Sequence, residues 1–199
     1  MANVTAILLN YRRPGNIPHI VEALRSQDEP VEILLINNSG FQTFGVKRTV
    51  HIPWNAGAWI RIPFSAHAET DYVMWLDDDI MPTYPAFVRS MRQVAEVRKD
   101  SVVGAFGRRL GPEPTYYSGA RDADGWVEIV KGRCVMFHRS LLQRVTLSNA
   151  IRPYRYRHED VYLSLEAGRG RPLNWVEPSL RQHLRELDAP YAESKRPDH

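Results

Sequence analysis

Two rhythms of apolar residues alternate through the first hundred positions. Val4–Asn10 is an almost unbroken apolar run, the pattern of a strand buried on both faces. Ile17, Ile20, Val21 and Leu24 then recur at helical spacing. Residues 31–37 form a second strand pattern that runs into Asn-Ser-Gly turn chemistry, and residues 46–52 a weaker third. Residues 56–68 predict a helix, with Pro63 kinking it or opening its main segment. Residues 72–76 predict a fourth strand. Pro85 suits the first turn of a helix whose apolar face is Phe87, Val88, Met91, Val94 and Ala95. Residues 102–106 predict a fifth strand. Strands alternating with helices predict an α/β fold, a mostly parallel sheet flanked by helices.

The second half changes character. Residues 111–125, rich in Gly, Pro and Asp, predict a loop or hairpin tip. Residues 126–131 and Cys134–His138 predict strands, Arg139–Arg144 a short helix, and Glu159–Ala167 a helix stopped by Gly168. Residues 174–177 are strand-like. The pattern predicts one domain over 1–188, with a ligand-binding half (1–107), a smaller mixed-β half (108–188), and a polar tail (189–199).

Composition narrows the reading only a little. The 199 residues are 43% hydrophobic and 25% charged, a globular mix that excludes wholesale disorder. The single cysteine, Cys134, excludes a disulfide framework and multi-cysteine zinc sites. There is no run of about 18 apolar residues and no leader-like start, so the expectation is a protein without a membrane span, in the cytoplasm. Charge is more informative. Residues 1–100 hold 10 basic and 11 acidic side chains, whereas residues 101–199 hold 16 and 12, and 22 of the 26 cations are Arg. Guanidinium forks match phosphate and carboxylate, so an anionic partner is one reading; codon bias towards Arg is the other.

The chemistry concentrates at predicted strand ends. Asp77-Asp78-Asp79 follows an apolar strand, where ligands bind in open α/β sheets. Three adjacent carboxylates call for a cation, and hard oxygen ligands suit Mg²⁺ or Mn²⁺ shared with substrate phosphates. Continued strand alternation would point Asp77 and Asp79 the same way. His158-Glu159-Asp160 opens a helix, where acids cap the dipole or serve as a general base. Asn10-Tyr11-Arg12-Arg13-Pro14 ends the first strand with a stacking face and two guanidinium groups. Asn55-Ala56-Gly57 leads to Arg61, and small residues there permit close backbone approach to an anion. P-loop, dinucleotide and serine-hydrolase signatures are absent from the sequence.

The order of these motifs resembles the GT-A class of nucleotide-sugar glycosyltransferases, chiefly glycosyltransferase family 2, with some exostosin-type similarity. Five stretches carry the resemblance. They are the opening strand with its Asn-Tyr-Arg-Arg-Pro turn, the strand ending at Asn37-Asn38, the Asn55-x-Gly57…Arg61 segment, Asp77-x-Asp79, and residues 132–139 leading to Glu159-Asp160. The resemblance implies a sugar transfer from a nucleoside-diphosphate sugar, by default a UDP-sugar, with Mn²⁺ or Mg²⁺. Asn10, Tyr11, Arg12, Asn37, Asn38, Asn55, Arg61, Asp77 and Asp78 would bind the donor. Asp79, Asp77 and His183 would bind the metal. Asp160 would be the general base of an inverting reaction, with Glu159 orienting the acceptor or the base. The stereochemical outcome stays open.

The acceptor is less constrained. Small GT-A enzymes of bacteriophages glycosylate hydroxymethylated DNA bases, and the opening Leu-Asn-Tyr-Arg-Arg-Pro resembles such sequences. That reading would place the protein in a host cytoplasm. Arg108, Arg133, Arg155, Arg157 and His158 are the candidate acceptor contacts, since Arg neutralises phosphates. A saccharide or lipid-linked acceptor is the alternative. A metal-dependent nuclease built on the same carboxylates is a third reading.

Overall fold

A computed structural model describes residues 3–38, 40–110, 121–145, 158–167 and 174–187. In chain order the elements are β1 (Val4–Asn10), α1 (Ile17–Arg25), β2 (Val31–Asn38), β3 (Arg48–Ile52), α2 (Arg61–Ala66), β4 (Tyr72–Asp77), β5 (Ile80–Pro82) and α3 (Phe87–Val97). They continue with β6 (Val103–Gly104), β7 (Gly107–Arg109), β8 (Arg121–Asp122), β9 (Gly125–Val127), β10 (Ile129–Val130), β11 (Cys134–His138), α4 (Glu159–Ala167), β12 (Asn174–Val176) and β13 (Leu184–Glu186). Short 3₁₀ turns cover Ala58–Ile60, Arg139–Arg144 and Pro178–His183.

The main sheet has eight strands in the order β3-β2-β1-β4-β11-β6-β12-β9. Strands β3, β2, β1 and β4 are mutually parallel. The chain builds outwards from β1 to β3, then crosses to the other side of β1 for β4. That reversal opens a crevice at the carboxyl ends of β1 and β4. Two smaller sheets, β10-β7-β8 and β13-β5, complete the fold.

Both faces of the sheet are buried, which is why β1 and β4 read as continuous apolar runs. Ala6, Leu8, Met74, Leu76 and Met136 pack beneath α1 and α3. Ile7, Leu9, Val73, Trp75, Val135 and Phe137 face the other side, with Ile62 of α2 and Leu163 of α4. The expected face of α1 (Ile17, Ile20, Val21, Leu24) is buried, and so is that of α3 (Phe87, Val88, Met91, Ala95) except for Val94, which is only partly buried.

Strand β11 runs antiparallel between β4 and β6. Its register sets Cys134 opposite Leu76, and the Asp77 N–H donates to the Arg133 carbonyl at 3.0 Å. Antiparallel insertion therefore delivers residues 132–133, from far along the chain, to the carboxyl end of β4. A parallel strand would have brought its other end there.

Several local expectations need correction. Residues 126–131 are two strands in different sheets, β9 against β12 and β10 against β7, because Glu128 interrupts the run. The fifth strand shortens to Val103–Gly104. The third begins at Arg48 rather than at residue 46. Pro85 lies in the turn before α3, and Pro63 in the first turn of α2. The expected helix over 56–68 splits into the 3₁₀ turn and α2. No helix among the described residues is long and apolar enough to cross a membrane.

Gly104 shows how tightly the sheet centre is packed. A Cβ there would lie 2.2 Å from a Val130 methyl and 2.9 Å from the Cys134 carbonyl. Gly104→Ala is expected to lower the unfolding free energy by about 1–3 kcal/mol, as overpacking does. Urea titration followed by tryptophan fluorescence would detect the shift in midpoint.

Candidate active site

The carboxyl ends of the parallel strands carry polar side chains that would be costly to bury without partners. Two runs of amide hydrogen bonds satisfy them. Asn10 Nδ2 donates to Asn37 Oδ1 at 2.9 Å, and Asn37 Nδ2 donates to the Gln42 carbonyl and faces His51 Nδ1. Asn38 Nδ2 donates to Asn55 Oδ1 at 3.0 Å, while Asn38 Oδ1 accepts from the Ala56 N–H at 2.7 Å. The Gln42 carbonyl can only accept, so it fixes the direction of its chain. Asn10 Oδ1 is consequently left as a buried acceptor without a donor. Of the residues expected to bind a donor, Asn10 is thus tied to Asn37 and Asn38 to Asn55.

The three aspartates do not follow strand alternation. β4 ends at Asp77 and the chain turns at Asp78–Asp79. Asp78 folds inward, where its carboxylate accepts from the Tyr11 N–H at 2.7 Å and from Arg13 at 2.6 Å, and its carbonyl accepts from Asn16 Nδ2. Burial pushes its pKa up to about 6, against the pull of those two donors. Asp77 is bound by Arg61. Asp79 lies between Arg13 (3.4 Å) and Arg133 (3.5 Å), and its Oδ1 is buried without a hydrogen bond.

Arg61 is the hub of the site. It is 3% exposed, forms an ion pair with Asp77, and donates to the Gly132 carbonyl at 2.9 Å. Burial alone would lower its pKa; Asp77 and Glu159 outweigh that and hold it above its ordinary value. Gly132 then reaches the other half of the site, since its N–H donates to Asp160 Oδ2 at 2.9 Å. The second Asp160 oxygen accepts from the Val161 N–H at 2.8 Å. A Cβ on Gly132 would lie 3.1 Å from Asp160 Cβ and 3.2 Å from Glu159 Oε1, so glycine permits this approach. His158, just before the helix, sits at φ 66°, a left-handed backbone uncommon outside glycine.

Other expected residues are placed elsewhere. His183 stacks on Tyr84 at 4.7 Å, and its carbonyl accepts from the Thr83 N–H. In that register His183 lies opposite Thr83, and Leu187 lies opposite Asp79. Arg12 is exposed, with its guanidinium 5.0 Å from the Tyr11 ring centroid. Arg108 pairs with Asp122 rather than with the aspartate triplet. Arg155 and Arg157 lie outside the described residues. Sequence reading missed Arg13 as the Asp78 partner, Asn16, Gly132 and Glu186. Only the strand-end position of the Arg12-Arg13 pair was a signal; the other contacts span separations that leave no local trace.

The donor set suits a hard divalent cation held jointly with a ligand. Asp79 offers a buried, unbonded carboxylate oxygen, and Asp77 stands two residues away. Among the described residues no group of three or more His, Cys, Asp or Glu forms a complete cage. Mg²⁺-type sites commonly use one or two carboxylates and complete their shell with water and phosphate.

No protein-family model matches the chain, and no curated protein sequence matches it. Solved structures do. A mannosyltransferase from Pyrobaculum calidifontis, PcManGT, in complex with GDP-Man and Mn²⁺, is similar with a TM-score of 0.65 at 14% identity. The match covers 89% of this chain and 55% of that one. The chain has the GT-A fold. S. aureus TarS 1-349 is similar with a TM-score of 0.56 at 12% identity, over 84% of this chain and 55% of that one. The chain thus spans about half the length of either protein. Within the GT-A fold, the Arg61–Gly132–Asp160 bridge joins the parallel half to the antiparallel insertion.

Glu159 gives the site a pH signature. It is 9% exposed, and burial pushes its pKa from the usual 4.5 up to about 7, with Arg61 opposing and Asp160 adding to the rise. The folded chain holds this proton until about pH 7, while the unfolded chain releases it near 4.5. Stability is therefore expected to fall as pH rises through that window. Urea midpoints from pH 4.5 to 7.5 should decline in the native protein, and the decline should be shallower in Glu159→Gln.

Proposed function

We propose that the protein is a metal-dependent glycosyltransferase that moves a sugar from a nucleoside-diphosphate sugar to an acceptor hydroxyl. The observation that carries this reading is the bridge from Asp77 through Arg61 and Gly132 to Asp160. It links Asp77, the first member of the aspartate triplet, to the Asp160 carboxylate through one buried guanidinium and the glycine it holds. The neighbour's GDP-Man and Mn²⁺ support the same class of donor and metal.

In this reading the donor lies at the carboxyl ends of β1, β2 and β4. Asn10 Oδ1, without a donor among the described residues, accepts an N–H of the nucleobase, and Tyr11 offers a face for stacking. Asp79 and Asp77 would hold the cation, which would supply positive charge against the departing diphosphate. Arg13 and Arg133, already beside Asp79, add cationic contacts to the same phosphates. Asp160 takes the proton from the acceptor hydroxyl as the new glycosidic bond forms at the anomeric carbon and the bond to the diphosphate breaks. Its two backbone N–H bonds fix its orientation. Glu159, buried beside Arg61, keeps the helix start in place and excludes water. UDP-sugars and GDP-mannose are the donors to test first.

For the acceptor we favour a hydroxymethylated DNA base. The support is the excess of cations in residues 101–199 and the Arg-Pro-Tyr-Arg-Tyr-Arg-His run that leads into Glu159. A saccharide acceptor is the second reading. A cavity of about 350 Å³ lined by Phe106, Asp122, Ala123, Asp124, Lys131 and Arg181 supports it. Its cations already pair with its own carboxylates, which suits a neutral, hydroxyl-rich ligand.

Donor turnover with Mn²⁺ is expected to fall by at least about 100-fold in Asp79→Ala and in Asp160→Asn, as for loss of a metal ligand or a general base. Chelation by EDTA should abolish it and added Mn²⁺ restore it. Undiminished transfer in either variant would remove that residue from its role. A DNA acceptor predicts retention on duplex DNA at 50 mM salt that weakens steeply by 200 mM. Salt-insensitive transfer to oligosaccharides would instead favour the saccharide reading. DNA cleavage with Mg²⁺ and no sugar donor would favour a nuclease over both.

A further inference from the structure

The aspartate triplet is matched residue for residue by arginines. Arg61 pairs with Asp77, Arg13 with Asp78 at 2.6 Å, and Arg13 and Arg133 flank Asp79 at 3.4 and 3.5 Å. Three carboxylates face three guanidinium groups, so the triplet is close to neutral before any ligand arrives. A divalent cation entering alone would meet two guanidinium groups within 4 Å of the very carboxylate it needs. Like charges at such separations repel strongly where water is partly excluded. A diphosphate changes the balance, because its negative charge attracts both the arginines and the metal.

The three arginines are not equally fixed. Arg61 is buried and also bound to the Gly132 carbonyl. Arg13 is held by the buried Asp78. Arg133 is different: its second carboxylate lies outside the triplet, Glu186 on β13, at 2.7 Å. Its guanidinium carbon also lies 5.3 Å from the Phe106 ring centroid. It can leave Asp79 without losing an ionic partner, and the Asp79 oxygen it would leave carries no hydrogen bond.

We propose that Arg133 is a positioning residue that makes metal binding depend on the nucleoside diphosphate. In the free protein it shares Asp79 with Arg13 and keeps a divalent cation out. When metal and diphosphate arrive together it moves off Asp79, its guanidinium retained by Glu186 and the phosphate. Glu186 sets the strength of that block by competing with Asp79 for the same guanidinium. The inference rests on the transferase reading for its diphosphate, but the metal arm below is independent of sugar transfer.

The test is Mn²⁺ binding, read from the free-ion electron paramagnetic resonance signal, with Mn²⁺ alone and with UDP or GDP present. The native protein should bind Mn²⁺ at least about ten-fold more tightly with the diphosphate it accepts, within the usual range of coupling between two sites. By reciprocity Mn²⁺ should tighten that nucleotide by the same factor. Arg133→Ala should bind Mn²⁺ alone several-fold more tightly than the native protein and show weaker coupling. Arg133→Lys, which keeps the charge, should restore the block in large part. Glu186→Gln should shift binding of Mn²⁺ alone in the opposite direction, to weaker, because Arg133 then has Asp79 as its sole carboxylate. A general loss of structure could not produce opposite shifts in the two variants. Mn²⁺ affinity that a nucleotide shown to bind the native protein leaves unchanged would overturn the proposal. So would an Arg133→Ala protein whose affinity for Mn²⁺ alone is unchanged. Failure of the transferase reading looks different: neither nucleotide binds, while the shifts with Mn²⁺ alone persist.

Discussion

One buried guanidinium holds the two halves of the site in register. Arg61 stands on the first turn of α2, beneath the end of β4, with Asp77 on one side and the Gly132 carbonyl on the other. A cation at 3% exposure is expensive to desolvate unless charge and hydrogen bonds compensate it. Here the compensation comes from two distant parts of the chain. The pair is thus less a source of stability than a geometric condition: β4, α2 and the turn before β11 must meet before the guanidinium is satisfied. Through Gly132 the same condition reaches Asp160, so the carboxylate at the start of α4 is positioned from the parallel half of the sheet.

The same economy of charge runs through the aspartate triplet. Each carboxylate has its own arginine, and the arginines come from the β1–α1 turn, from α2 and from the start of β11. The charge of the triplet is therefore balanced by cations of the chain itself. Asp79, between two arginines and with an unbonded oxygen, is the least committed member. Asp78 is the most committed, since its carboxylate pins the Tyr11–Arg13 turn against the end of β4.

The antiparallel β11 connects these observations to the fold. Strand β4 lies between β1, which is parallel to it, and β11, which is not. The carboxyl end of β4 is consequently flanked by the end of one strand and the beginning of another. It gathers Asn10 and Tyr11 from the first, Gly132 and Arg133 from the second, and the start of α4 behind Gly132. β13 then pairs with β5 immediately after the triplet and brings Glu186 to Arg133.

Much of this was legible in the sequence where the signal is local. The apolar runs of β1, β2 and β4 and the spacing of α1 and α3 follow from burial on two faces or one, a constraint each segment carries by itself. The positions of Asp77–Asp79 and Glu159-Asp160 at element ends were readable for the same reason. What alternation could not give was the direction of each aspartate, because the strand stops at Asp77 and the turn redirects the next two. Nor could His183 be placed, since its position depends on the register of β13 against β5. The pairing of Asp78 with Arg13 and the approach of Gly132 to Asp160 span 65 and 28 positions. Hydrophobic periodicity reports which face of an element is buried, and it is silent on which distant element covers it. The sequence by itself determined the elements and the chemistry at their ends; tertiary packing alone decided which charge meets which, because ion pairs and close approaches are set by distance in space.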